Sequence, residues 1–183
     1  MQLHEYNITE IPSNAFNNSQ DNLNYLFLIG ESFKKLGSNA FSNLKSLIHL
    51  DIIDTSIDFI PENAFEFNEE SNQSQVLTLA SDQLLNSSSF AEKSLTKFKR
   101  PTTLLFTIIG NASYQYLDQK IFEPFLLSNA ENLIQIYTGS ISCSDCRNNW
   151  LKKNISLQKR IVYLKCSNKK MLNDTGNFQN CSH

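Results

Sequence analysis

Phe41-Ser-Asn-Leu-Lys-Ser-Leu-Ile-His-Leu-Asp-Ile-Ile-Asp-Thr-Ser-Ile-Asp-Phe-Ile-Pro-Glu-Asn-Ala-Phe65 is the stretch that decides the fold. Its apolar positions are Leu44, Leu47, Leu50, Ile52, Ile57, Ile60, Ala64 and Phe65. Leu50-x-Ile52 alternates, as a short strand with one buried face does. The later positions keep neither a helix nor a strand period for long. What matters is recurrence. Leu23, Leu26, Leu28, Phe33, Leu36, Ala40 and Phe41 repeat the pattern from Leu47 to Phe65 at one constant shift upstream. Leu3, Ile8, Ile11, Ala15 and Phe16 repeat its second half once more, at almost the same shift again. Asn-Ala-Phe occurs at 14–16, 39–41 and 63–65, and Ile-Pro precedes it at 11–12 and 60–61.

Self-similarity at this period indicates a solenoid, in which each unit buries its apolar side only against its neighbours. The pattern L-x-x-L-x-L-x(4)-F/I-x-x-L/I-P-x-N-A-F resembles the extracellular, typical class of leucine-rich repeat. The resemblance implies one strand per repeat on a concave face, followed by a convex return. The family's usual asparagine, three residues after the second strand leucine, is replaced here by Glu31 and Thr55, so its asparagine ladder is missing. The expected fold is an α/β leucine-rich repeat solenoid. Residues 1–140 are expected to form five or six repeats, and residues 141–183 a cysteine-rich cap.

At 183 residues the chain has room for an ample core. Its 16 basic and 18 acidic side chains nearly balance, which argues against an electrostatic nucleic-acid surface. Lys97–Arg100 reads as the one basic cluster and is too small to argue for nucleic acid or heparin. No run of apolar residues is long enough to span a membrane. Met1-Gln-Leu-His-Glu lacks the basic start and apolar run of a signal peptide. Leu3 already occupies a strand position, so the chain is expected to be an N-terminally incomplete piece of a longer secreted protein.

Beyond Phe65 the repeat loosens. Strands are expected at Val76–Leu79, with Leu77 and Leu79 inward; at Leu104–Ile108, with Phe106 and Ile108 inward; and at Leu133–Tyr137, with Ile134 and Ile136 inward. The longer spacings leave room for short helices around Ser89–Lys97 and Asp118–Leu127, limited by Pro101 and Pro124.

Four cysteines, Cys143, Cys146, Cys166 and Cys181, surround Asn148-Asn-Trp-Leu-Lys-Lys153, a short candidate helix. This resembles the C-terminal cysteine cap of extracellular leucine-rich repeats, with C-x-x-C in place of the family's C-x-C. The family pairing implies Cys143–Cys166 and Cys146–Cys181. Two other readings of C-x-x-C compete. A zinc ribbon needs a second close pair, and a redox site needs a βαβ setting. Sequons at Asn7, Asn17, Asn72, Asn86, Asn111, Asn154 and Asn173 point to the same secreted compartment, and an eighth, at Asn180, has Cys181 as its middle residue.

Strand alternation places Tyr25, Phe27, Ile29, His49, Asp51, Ile53, Val76, Thr78, Ala80, Leu105, Thr107, Ile109, Leu133, Gln135 and Tyr137 outward on the concave face. The set is apolar for solvent-facing positions, as an interaction surface is. Of the three histidines, His4, His49 and His183, only His49 has a carboxylate, Asp51, on its own strand face, and no nucleophile is placed beside it. No phosphate loop, H-E-x-x-H or G-x-S-x-G is present. No cofactor or metal is expected, and Asp54, Asp58 and Glu62 do not form an EF-hand loop. The expected function is non-catalytic recognition of another protein outside the cell, through the concave face. Alternatives are a non-catalytic carrier or stabilising subunit of a secreted enzyme complex, a homodimer through that face and, least of all, a secreted enzyme using His49 and Asp51. Similar proteins of the family include invertebrate adhesion and receptor ectodomains and the non-catalytic subunit that accompanies a crustacean luciferase.

Overall fold

A computed structural model describes residues 1–3, 8–17, 22–67, 73–80, 87–107, 116–137 and 140–172. Seven strands, β1 (Gln2–Leu3), β3 (Tyr25–Ile29), β5 (His49–Ile53), β6 (Gln75–Ala80), β7 (Thr102–Phe106), β8 (Leu133–Ile136) and β10 (Ile161–Val162), lie side by side in that order. All their pairings are parallel. Two short parallel pairs run beside this sheet, β2 (Glu10–Ile11) with β4 (Lys35–Leu36), and β9 (Ser140–Ile141) with β11 (Lys165–Cys166).

The leucine spacing dictates this register. Leu26, Leu50, Leu77, Leu104, Ile134 and Ile161 face one another across successive strands, and Leu28, Ile52, Leu79, Phe106 and Ile136 form a second row. Every one of these side chains is buried. Each contributes about 1.5–3 kcal/mol relative to exposure. A one-residue slip of any strand would turn its whole row to solvent.

The Asn-Ala-Phe tripeptide builds the convex turn. Asn14, Asn39 and Asn63 have φ of 58°, 58° and 55°. Asparagine tolerates this left-handed conformation better than bulkier residues. The turn sends the following phenylalanine inward. Phe16 stacks on Phe41 at 5.7 Å between ring centroids, and Phe41 on Phe65 at 5.6 Å. The column continues through Phe98, 6.3 Å from Phe65, to Phe125, 5.1 Å further on.

Gly37 stands where the neighbouring repeats have Pro12 and Pro61. Its amide donates to Ile11 O at 2.8 Å. A Cβ there would lie 2.4 Å from the Ser13 backbone nitrogen. Gly37→Ala is therefore expected to force two repeats apart and cost about 1–3 kcal/mol. A lowered urea midpoint would show this; an unchanged midpoint would mean that the turn yields freely.

Two expectations need correction. The segment after Phe67 forms no α-helix over Ser89–Lys97. A 3₁₀ turn at Ser87–Ser89 leads into a path parallel to the preceding convex turn. Isolated bridges pair Ile60 with Phe90 and Phe67 with Phe98. Ile60 N donates to Ser89 O at 2.7 Å and Ala91 N to Ile60 O at 2.9 Å. Pairing to the neighbouring repeat satisfies the backbone that a helix would otherwise satisfy internally. The second correction is register. Leu77 pairs with Leu104 and Leu79 with Phe106, two residues earlier than the expected Phe106 and Ile108. Ile108 and Ile109 lie outside the described residues. A two-residue slip keeps the same side chains inward, so alternation alone does not distinguish the two registers.

The helix expected at Asp118–Leu127 forms as α1 (Gln119–Ser128). Asp118 caps it, accepting from Lys120 N at 2.9 Å. The helix runs through Pro124 and buries Ile121, Phe122, Phe125 and Leu126. At the C-terminal end, a 3₁₀ turn at Cys146–Asn148 leads to α2 (Asn149–Lys153) and α3 (Ile155–Gln158). A disulfide joins Cys143 to Cys166, with 5.4 Å between their Cα atoms. Cys146 is disulfide-bonded too, and Cys181, its expected partner, lies outside the described residues. Trp150 Nε1 donates to Leu117 O at 2.9 Å, while Asn148 Oδ1 accepts from Leu117 N at 2.9 Å. Both backbone groups of Leu117 are thus held by the cap. A single core of buried side chains runs from Ile11 to Leu172.

Candidate functional site

The sheet brings the outward side chains into rows, because parallel in-register pairing stacks equivalent positions. Tyr25, His49, Val76, Thr103 and Leu133 make the first row. Phe27, Asp51, Thr78, Leu105, Gln135 and Val162 make the second. Ile29, Ile53 and Ala80 begin a third. Thr107 and Tyr137 extend it just past their strands, with Thr107 N donating to Leu79 O and Tyr137 N to Phe106 O, both at 3.3 Å.

Two aromatic clusters stand out. Near the N-terminal edge, the His49 ring lies 6.5 Å from Tyr25 and 5.9 Å from Phe27. Its Nε2 is 2.7 Å from Asp51 Oδ1, as the two-residue spacing on β5 requires. At the other end Tyr137 stacks on Tyr163 at 4.7 Å. Tyr137 Oη donates to Gln135 Oε1 at 3.3 Å. Tyr25, Tyr137 and Tyr163 are 49 %, 52 % and 50 % exposed. Tyr163 is an exposed ring beside this face that strand alternation missed. It follows β10, the edge strand of the seven-stranded sheet, and its φ of 64° aims it out of simple alternation.

Asp51 and Thr78, expected among the exposed concave residues, are buried, at 8 % and 7 % exposure, and so is Ala80. Asp51 sits between Phe27 and Thr78, and Thr78 between Asp51 and Leu105. On the inner side of a curved sheet such neighbours crowd the small residues, leaving only the large ones to project. Phe27, Ile29, His49, Ile53, Thr107 and Gln135 are half-buried. A buried carboxylate needs partners, and His49 supplies one.

Among the described residues no hydroxyl or thiol hydrogen-bonds to His49. The pair is thus a fixed polar group within an apolar surface. No group of three His, Cys, Asp or Glu suited to a metal exists among the described residues. No helix among them is long and apolar enough to cross a membrane. Of the sequons, only Asn17 and Asn154 are described; Asn7, Asn72, Asn86, Asn111, Asn173 and Asn180 lie outside. Asn154 Oδ1 caps α3, accepting from Leu157 N at 3.3 Å and from Ser156 Oγ at 2.8 Å.

The parallel one-strand-per-repeat sheet agrees with comparison to known families. A model described as BspA type leucine rich repeat region matches residues 2–121, in six copies. The chain belongs to this leucine-rich repeat family. Leucine-rich repeat regions of this kind serve as protein–protein interaction modules. No curated protein matches this leucine-rich repeat chain. Among solved structures, that of human 5T4 (Wnt-activated inhibitory factor 1, trophoblast glycoprotein) is similar at a TM-score of 0.40 and 14 % identity. The similarity covers 94 % of this chain and 84 % of that one.

Proposed function

We propose that this leucine-rich repeat chain is a non-catalytic recognition module that acts outside the cell and grips another protein through the concave face of its sheet. The observation that carries the reading is the pair of aromatic clusters projecting from that face, Tyr25–Phe27–His49 and Tyr137–Tyr163. Exposed tyrosines on a rigid sheet lose little entropy on binding and bury much area, which is why such residues anchor interfaces. The extracellular part rests on the disulfides, which persist in oxidising compartments.

The test is direct. The chain is expressed in a secretory host, its disulfides and glycans are mapped by non-reducing mass spectrometry, and partners are captured. Tyr137→Ala with Tyr163→Ala is expected to weaken capture by about 30-fold or more, the size of a hot-spot loss of about 2 kcal/mol. Phe59→Ala, on an exposed ring between β5 and the convex turn, leaves it unchanged. Equal losses for both variants would sink the concave assignment. A carrier subunit or a homodimer would use the same face, and sedimentation of the purified chain distinguishes the homodimer from the rest.

A further inference from the structure

The whole-chain charge of −2 conceals a strong polarity. Residues 141–183 hold 8 of the 16 Lys and Arg but only 2 of the 18 Asp and Glu, a net of +6 against −8 for residues 1–140. Lys97–Arg100 is therefore not the main basic feature, and Arg100 is itself buried, donating to Lys45 O at 2.8 Å. The cap arginines are similarly occupied. Arg147 pairs with Asp145 at 2.6 Å and lies 3.7 Å from the centre of the Tyr116 ring. Arg160 turns back onto the carbonyls of Asn129, Ala130 and Leu126.

The lysines differ. Lys153, Lys159, Lys165, Lys169 and Lys170 are exposed, and none has a carboxylate partner among the described residues. The backbone gathers most of them. Gln158 Nε2 donates to Leu172 O at 3.1 Å, tying the end of α3, and Lys159 with it, to the segment just after Lys170. Cys166 N donates to Lys170 O at 2.7 Å and Lys169 N to Cys166 O at 2.8 Å, closing the turn that carries Lys165, Lys169 and Lys170. The Cys143–Cys166 bridge fixes that turn to the cap.

We propose that this lysine cluster docks a sulfated polysaccharide. Charge complementarity carries the inference, which rests on the extracellular reading for its choice of polyanion. Lysine is a mobile, strongly hydrated point charge, suited to a flexible line of sulfates. The forked arginines that would read one anion bidentately are used internally. A membrane surface fits less well. α2 and α3 are five and four residues long, too short to lie as an amphipathic helix in a lipid interface.

The full secreted chain is applied to heparin and to a sulfopropyl resin, and eluted with salt. The expected result is later elution from heparin than from the plain cation exchanger, despite the net negative charge. Lys153→Gln, Lys159→Gln, Lys165→Gln, Lys169→Gln and Lys170→Gln together should at least halve the eluting salt concentration, because fewer counterions are released per bound chain. Lys34→Gln, Lys35→Gln and Lys120→Gln, also exposed, should leave it unchanged. Three outcomes would each overturn the proposal: equal elution from both resins, equal loss in both variants, or binding to phosphatidylserine vesicles without heparin retention. Circular dichroism confirms that each variant is folded. Tyr137→Ala with Tyr163→Ala should keep full heparin retention, so failure here is separable from failure of the concave-face reading.

Discussion

Replacing Phe65 by alanine is expected to destabilise the protein by about 3–5 kcal/mol. The ring is fully buried, and its centroid lies 5.6 Å from Phe41, 6.3 Å from Phe67 and 6.3 Å from Phe98. Truncation leaves a cavity in the middle of the phenylalanine column and removes contacts to repeats on both sides. Native domains have only about 5–15 kcal/mol to lose. A coil is also quasi-linear, so a central break uncouples its two halves as well as weakening one of them. Urea unfolding followed by circular dichroism should show a large fall in midpoint and a broader transition. Phe59→Ala serves as the reference, since that ring is 46 % exposed. If Phe65→Ala lowers the midpoint no more than Phe59→Ala does, the column is not what holds the repeats together.

The second large effect is expected from the Cys143–Cys166 bridge. It closes a loop with a sequence separation of 23. In the chain-entropy model such a loop is worth about 3 kcal/mol. Cys143→Ala with Cys166→Ala should therefore cost about that much. The loss should fall first on the cap, where Leu157, Ile161, Leu164 and Leu172 seal the end of the core. Hydrogen exchange of the amides of residues 157–172 should accelerate well before that of β5 and β6. Uniform acceleration along the chain would mean that cap and repeats unfold as one unit. No change in either would show the bridge to be energetically idle.

The legible part of the fold was the part with strict periodicity. Leu50, Ile52, Ile57, Ile60, Ala64 and Phe65 are matched at one constant shift by Leu26, Leu28, Phe33, Leu36, Ala40 and Phe41, and every one of the twelve is buried. Beyond residue 66 the steps from His49 to Val76, Thr103 and Leu133 are longer, and the last is longer than the two before it. No spacing repeats long enough there to fix register, and Leu104, Phe106 and Ile108 are interchangeable by alternation. The concave face was legible in outline through Tyr25, Phe27 and Tyr137. The burial of Asp51 and Thr78 was not, since it depends on crowding between three strands, which no single strand encodes. Tyr163 was hidden because its backbone leaves the strand conformation. The lysine cluster was visible in the composition of residues 141–183 but vanishes when charge is summed over the chain.

β5 and β8 are separated by β6 and β7, so the nearest members of the two aromatic clusters, His49 and Tyr137, stand three strand spacings apart across the sheet, about 14 Å at ~4.8 Å each, and two rows apart along it. The sheet is therefore a ruler graduated in strands. Inserting or deleting one whole repeat between the clusters would leave every ladder bond paired and shift one foothold against the other by a single graduation. On the proposed concave-face reading, variation in repeat number would thus tune partner choice by distance, with no change to any residue of either cluster.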